Sequence, residues 1–197
     1  MTMPTTQRVI EDPEITRLMG EVEALRRELQ AVGGRLAEAE RLADRDVLTP
    51  LLNRRAFVRE LQRAIALTRR HDTPASVIFV DLNDFKGIND SHGHAAGDAV
   101  LVAVAERLVA GVREEDIVGR IGGDEFAVLL QHADAPKATL KAAMLAAIVA
   151  DTPVPYEDRQ ISVSLTYGVR QIGAVDSAEQ ALSEADAAMY LRKPPKD

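Results

Sequence analysis

The stretch Ser76-Val77-Ile78-Phe79-Val80-Asp81-Leu82 limits the possible folds more than any other part of the 197-residue chain. Its side chains alternate between two faces, and both faces are apolar, so it can only be a central strand with cover on each side. The pattern around it supplies that cover. A helix is expected at roughly 53–70, another with apolar residues at Leu101, Val104, Ala105, Leu108 and Val112, a third at about 136–150 and a last at about 177–192. Strands are expected near 117–121 and 126–131, joined as a hairpin through Gly122 and Gly123, and within Gln160–Ile172. The glycine-punctuated segment 87–98 reads as a loop. Helix, strand, helix, hairpin, helix, strand, helix is an α+β order with a mainly antiparallel central sheet flanked by helices.

A different periodicity precedes this domain. Ile15, Leu18, Val22, Leu25, Leu29, Val32 and Leu36 recur in alternating steps of three and four, and Ala39 and Ala43 continue the register. That is a heptad seam, with β-branched residues at a and leucine at d in its first two heptads, the combination that favours parallel two-stranded coils. Glu21 would face Arg26 of a second chain, and Arg35 would face Glu40. An amphipathic helix packed on its own domain normally shows a wider apolar stripe. The expected organisation is a flexible N-terminus over 1–13, a dimerising coiled-coil helix over 14–45 and one domain over 46–197. Gly33 and Gly34 are the weak point, each costing about 1 kcal/mol relative to alanine in a helix, so a kink or fraying is expected there. Pro50 should stop or bend a helix arriving from the coil.

Composition narrows the class of function. With 24 basic and 31 acidic side chains, the formal net charge of -7 argues against wrapping nucleic acid. An anionic ligand would need a local cation or a metal. With no cysteine there is neither a disulfide framework nor a thiolate metal site, which fits a reducing, cytoplasmic setting. The longest apolar runs, at 99–105 and 142–150, fall short of the ~20 residues of a membrane-spanning helix, and residues 1–14 lack a secretory layout. Aromatic content of 4% implies an aliphatic, alanine-rich core.

Chemistry is suggested by acids at one edge of the sheet. Asp81 ends the central strand, and Asp124 and Glu125 follow the two glycines of the hairpin. If hairpin and strand are neighbours, Asp81 and Asp124 approach each other and repel unless a cation lies between them. Mg²⁺ suits that position, because it takes one or two carboxylates and completes its octahedron with waters and substrate phosphates. Asp81 could instead cap the next segment, with Asp124 facing water. Lys86 could hold a phosphate as a point charge. Asn89 and Asp98 together offer a donor and an acceptor, which suits guanine better than adenine; Asp98 could equally be the N-cap of a helix starting at Ala99, Asn89 a turn residue and His94 an exposed loop histidine. A zinc site on His92 and His94 lacks a third ligand at suitable spacing.

The order of these residues, Asp81-Leu-Asn-Asp-Phe-Lys-Gly-Ile-Asn-Asp-Ser-His-Gly-His-Ala-Ala-Gly-Asp98 followed by Arg120-Ile-Gly-Gly-Asp-Glu-Phe126, resembles the diguanylate cyclases named for their GGDEF motif. Residues 46–57 resemble that family's N-terminal signature, with Pro50 where glycine is usual, and the resemblance covers about 46–193. It implies a palm-like fold related to nucleotidyl cyclases, and condensation of two GTP into cyclic di-GMP and two pyrophosphates by two domains placed face to face. Carried onto this chain, it implies that Asp81, the carbonyl of Leu82 and Asp124 hold Mg²⁺, or Mn²⁺ in its place. Asp124 would be the base for the attacking 3′-hydroxyl, and Lys86 would steady phosphate charge. Asn89 and Asp98 would read guanine, His94 would lie in the nucleotide site, and Gly122 and Gly123 would let backbone approach the phosphates.

Arg113-Glu114-Glu115-Asp116 has the RxxD form and the offset from Gly122 of the family's inhibitory product site, with Arg113 and Asp116 as guanine contacts; as bare sequence it is also an ordinary charged turn. Asn83 stands where the family often has aspartate. Lys193 aligns with a phosphate-holding lysine, but Pro194 and Pro195 replace the usual Gly-Arg, which leaves Arg192 or Lys196 as substitutes. The leading expectation is a Mg²⁺-dependent, coiled-coil homodimeric cyclase with product feedback. The alternatives are a non-catalytic cyclic di-GMP receptor signalling through the coil and a plain dimerisation scaffold.

Overall fold

The computed structural model describes residues 13–193. Residues 1–12 of the expected flexible N-terminus and the substitute cation Lys196 lie outside the described residues, and Pro13 already belongs to a helix. Two compact units divide at residue 43. The first is α1 (Pro13–Ala43), a helix that runs uninterrupted through Gly33 and Gly34. Its seam residues Leu18, Val22, Leu25, Leu29 and Val32 are all exposed. Glu21 lies 3.6 Å from Arg17 within the same helix.

The second unit runs in the order β1 (Leu52–Asn53), α2 (Arg54–His71), β2 (Ala75–Leu82), α3 (Phe85–His92), α4 (His94–Ala110), β3 (Ile117–Arg120), β4 (Glu125–Gln131), α5 (Ala135–Asp151), β5 (Val154–Tyr156), β6 (Arg159–Ile161), β7 (Leu165–Gln171) and α6 (Ala178–Tyr190). Five strands form one sheet in the order β1-β3-β4-β2-β7, parallel only between β1 and β3. The fold is therefore α+β with a mainly antiparallel sheet, as the sequence pattern required. No helix among the described residues is long and apolar enough to cross a membrane.

Every residue of β2 is buried, and its alternation feeds two cores. Ile78, Val80 and Leu82, with Phe126, Val128 and Leu130 of β4, pack against Val100, Val104 and Leu108 of α4 and Leu145 and Val149 of α5. Val77 and Phe79, with Ala127 and Leu129, meet Phe57 and Leu61 of α2 and Leu182, Ala185 and Met189 of α6. Each such large side chain contributes about 1.5–3 kcal/mol through burial. By the same alternation Asp81 and Glu125 belong to the α2/α6 face.

Local chemistry fixes the helix ends. Asn53, Asp84, Asp134 and Ser177 each cap a helix by accepting a backbone N–H three residues on. Close approach sets the helix positions: a Cβ at residue 168 would lie 2.0 Å from the carbonyl oxygen of Ala185, so glycine there lets α6 rest on β7. Segment 87–98 is helical, contrary to the loop expected from its glycines. Gly93, at φ 86°, makes the break between α3 and α4, and Asp98 lies inside the first turns of α4 rather than at its N-cap. The hairpin β5–β6 and the two-residue β1 also lacked a sequence signal, being too short to show a period.

Candidate active site

The edge formed by the ends of β2 and β4 gathers the acids. Asp81 is the ladder partner of Glu125, and the backbone N–H of Leu82 donates to the carbonyl of Asp124 at 3.2 Å. The turn is closed by the N–H groups of Ile121 and Gly122, both donating to the carbonyl of Glu125. Neither Gly122 nor Gly123 has a positive φ, so conformational freedom is not what the turn takes from them. At Gly122 the need is space: a Cβ would sit 2.2 Å from Oε2 of Glu125. At Gly123 a Cβ would meet nothing within 4 Å, so that position is open.

Asp81 is only 7% exposed. Its Oδ1 lies 2.8 Å from Nζ of Lys193, which stands three residues beyond the end of α6, yet that buried oxygen has no aligned hydrogen bond. A buried carboxylate oxygen with spare lone pairs, next to two further acids, is a hard-oxygen donor set that fits Mg²⁺. No cluster of three or more His, Asp or Glu side chains among the described residues is arranged around one point. A metal here would complete its shell with waters and a substrate, as Mg²⁺ commonly does. Glu125 carries the electrostatic signature of this edge: burial, then the carboxylates of Asp186, Asp81 and Asp124, push its pKa above the ordinary value, against a smaller pull from Arg54.

Asp186 and Arg54 escaped sequence reasoning, because each is unremarkable on the surface of an amphipathic helix. Arg120 was noticed only as part of the motif. Its guanidinium donates to the carbonyl of Gly123 from Nε at 3.1 Å and Nη2 at 2.7 Å, and its Nη1 reaches Oδ1 of Asp46 at 3.1 Å. Asp46 also accepts from the backbone N–H and the hydroxyl of Thr49, and these bonds with Arg120 hold its carboxyl below its usual pKa despite burial. The segment before Pro50 is thereby tied to the turn that carries Asp124. Asn83 donates from Nδ2 to the Ser164 hydroxyl and accepts from the Thr166 hydroxyl.

A second group lies along α3 and α4. Lys86 and Asp98 are exposed, as is His94 at the first position of α4. Asn89 is half-buried, and its Oδ1 is fully enclosed without a hydrogen-bond partner. His92 has Arg159 of β6 at 3.1 Å from its Nδ1.

The RxxD segment forms a separate turn between α4 and β3. Asp116 accepts the backbone N–H of Arg113 through Oδ2 and that of Gln131 through Oδ1, each at 3.1 Å. The Arg113 side chain extends into solvent, with Glu115 3.7 Å away. Arg113 and Asp116 line a hollow of about 300 Å³ with His132, Lys137, Lys141 and Met144.

With this geometry in place, the family model described as "Diguanylate cyclase, GGDEF domain" matches residues 43–196. Diguanylate cyclase TpbB of Pseudomonas aeruginosa is 38% identical over 182 residues, covering 91% of this chain and 41% of that protein. The chain thus spans about two fifths of the length of that curated relative. Among solved structures, the coiled coil and GGDEF domain of DgcB from Caulobacter crescentus, in complex with c-di-GMP, superposes with a TM-score of 0.76 at 26% identity. That match covers 88% of this chain and 92% of the other. Diguanylate cyclase SiaD from P. aeruginosa, solved with its activator SiaC, gives a TM-score of 0.76 at 29% identity, covering 90% of this chain and 68% of that one.

Proposed function

The chain belongs to the GGDEF-domain family of diguanylate cyclases, and from that premise we propose that it condenses two GTP into cyclic di-GMP and two pyrophosphates in the cytoplasm. The observation that carries the proposal is the β2–β4 edge, where a buried, incompletely bonded Asp81 oxygen stands beside Asp124 and Glu125.

Asp81, the Leu82 carbonyl and Asp124 would hold Mg²⁺, with Mn²⁺ as a substitute; when bound, the ion would neutralise triphosphate charge and acidify the 3′-hydroxyl. In each half-reaction the 3′-oxygen of one GTP bonds to the α-phosphorus of the other, and the bond from that phosphorus to the β-phosphate oxygen breaks. Asp124 receives the hydroxyl proton, and pyrophosphate leaves with the bonding pair. The open backbone at Gly123 admits phosphate oxygens without a side chain in the way. Lys86 and Lys193 neutralise charge on the triphosphate, Lys193 by exchanging its Asp81 partner for phosphate. His94 borders the nucleotide, and Asn89 and Asp98 read guanine.

One domain presents one such edge, so a second copy is required. The exposed α1 seam supports a parallel coiled-coil homodimer that keeps two domains within reach of each other. Glutamate at both Val22 and Leu29 should dissociate it and make specific activity fall on dilution; activity independent of concentration would remove the coil from this role. Arg113 and Asp116 are assigned to a feedback site for the product. Incubating the purified chain with GTP and Mg²⁺ tests the whole reading. Cyclic di-GMP and pyrophosphate should form in a one-to-two ratio, whereas intact GTP, or bound cyclic dinucleotide without turnover, would overturn it.

A further inference from the structure

We infer that Gly97 is a positioning residue for base recognition: by having no side chain it leaves the space in which the Asn89 amide lies beside Asp98, and so sets where that amide can meet guanine. The inference rests on the reading of Asn89 and Asp98 as the guanine contacts.

Gly97 lies inside α4, with a negative φ and ordinary helical bonding, its N–H donating to the carbonyl of Gly93 at 3.2 Å. No turn requires glycine there, and the helix would prefer alanine. The reason for glycine lies across the α3–α4 break. Gly93, at φ 86°, folds the end of α3 back against the start of α4 and donates its own N–H to the carbonyl of Asn89 at 2.8 Å. The side chain of Asn89 then lies flat on residue 97. A Cβ at that position would be 1.9 Å from Oδ1 of Asn89, 3.0 Å from its Cγ and 3.2 Å from Cζ of Phe85. Oδ1 is enclosed and has no hydrogen-bond partner.

The consequence is chemical. With the amide packed on Gly97, one of its two polar ends is turned inward and the other is left to meet a base. Asp98 follows Gly97 directly and is exposed, so an amide and a carboxylate acceptor share one short stretch of surface. Guanine offers the complement, an O6 acceptor beside N1–H and N2–H donors. Adenine offers the reverse on the same edge. An amide displaced from this place would no longer reach the base alongside Asp98.

A methyl group at residue 97 would meet the far end of a flexible side chain, not backbone, so the helix keeps its course and the amide is displaced. Gly97→Ala, Asn89→Ala and the double variant should therefore be compared in the full chain. The measurements are the Kd of a GTP analogue that cannot be turned over, the Kd of the matching ATP analogue, and the thermal midpoint. Gly97→Ala should weaken the GTP analogue about tenfold, the effect of one lost hydrogen bond in a site. It should leave the ATP analogue unchanged and the midpoint no lower than that of the parent. In the Asn89→Ala background it should add nothing. Unchanged GTP affinity in Gly97→Ala, with Asn89→Ala still weakened, would overturn the role of Gly97 alone. Unchanged affinity in Asn89→Ala would overturn the guanine reading and this inference with it. Equal weakening of both analogues, or an additive double variant, would mean that Gly97 acts through general structure and would also refute the inference.

Discussion

Two turns in this molecule carry the same kind of side chain and use it in opposite ways. In the turn 113–116, both oxygens of Asp116 accept backbone N–H groups, and the acid serves to hold the turn to the sheet. In the turn 121–125 the backbone closes on itself through the carbonyl of Glu125, and the carboxylates of Asp124 and Glu125 play no part in that closure. Glu125 is harder to ionise, through burial first and then through the carboxylates of Asp186, Asp81 and Asp124. Asp116 can therefore meet a ligand only through the lone pairs left over from those two bonds, whereas the acids of the turn closed by its own carbonyl keep all of theirs.

Substitutions can break that comparison at either end. The largest effect is expected from Asp81→Asn, which should lower the rate of cyclic di-GMP formation on the order of 10²-fold or more by removing charge from the metal edge. Circular dichroism should show the fold retained. An Asp81→Asn protein with parental turnover would mean that the edge is not the reacting centre.

At the other turn, Arg113→Ala should raise the cyclic di-GMP concentration needed for inhibition about tenfold or more, the value of a lost charged hydrogen bond. Because its side chain is exposed, stability should change by less than about 0.5 kcal/mol. Asp116→Ala should impair inhibition and also cost about 1 kcal/mol in urea unfolding, since two backbone donors lose their partner. Equal stability of the two variants would contradict the structural role assigned to Asp116.

The smallest effect concerns pH. A carboxyl whose pKa is raised on folding binds its proton more tightly in the folded state. Stability therefore falls as pH climbs from the unfolded pKa through the higher folded one. Glu125→Gln should consequently raise the thermal midpoint of metal-free protein at pH 7 and leave the difference small at pH 4. A Glu125→Gln protein that is less stable at pH 7 would show that the acids at this edge are already neutralised within the chain.

Much of this arrangement was legible beforehand, for identifiable reasons. Continuous burial of β2 follows from its two apolar faces, and the position of Asp81 at its end follows from the same run of residues. The helical course of 87–98 was hidden because its glycines looked like turn formers. Only Gly93 serves that purpose. Gly87 makes room for the Asp84 carboxylate, which would lie 2.4 Å from a Cβ, and Gly97 makes room for Asn89. Close approach between side chains distant in sequence leaves no periodic trace. Asp186 was invisible for the same reason: its place near Glu125 depends on α6 settling onto Gly168, a contact between two helix carbonyl and amide groups and a strand that no local pattern announces.

The proposed division of labour gives the chemistry to the turn at 121–125 and product feedback to the turn at 113–116. It is tested most directly by the time course of cyclic di-GMP formation from GTP and Mg²⁺, comparing the parent chain with Asp124→Asn, each first freed of bound nucleotide. Many turnovers by the parent and essentially none by Asp124→Asn, with cyclic di-GMP still bound by both, are the predicted result. Sustained product formation by Asp124→Asn, or a parent that binds cyclic di-GMP and never makes it, would rule that division out.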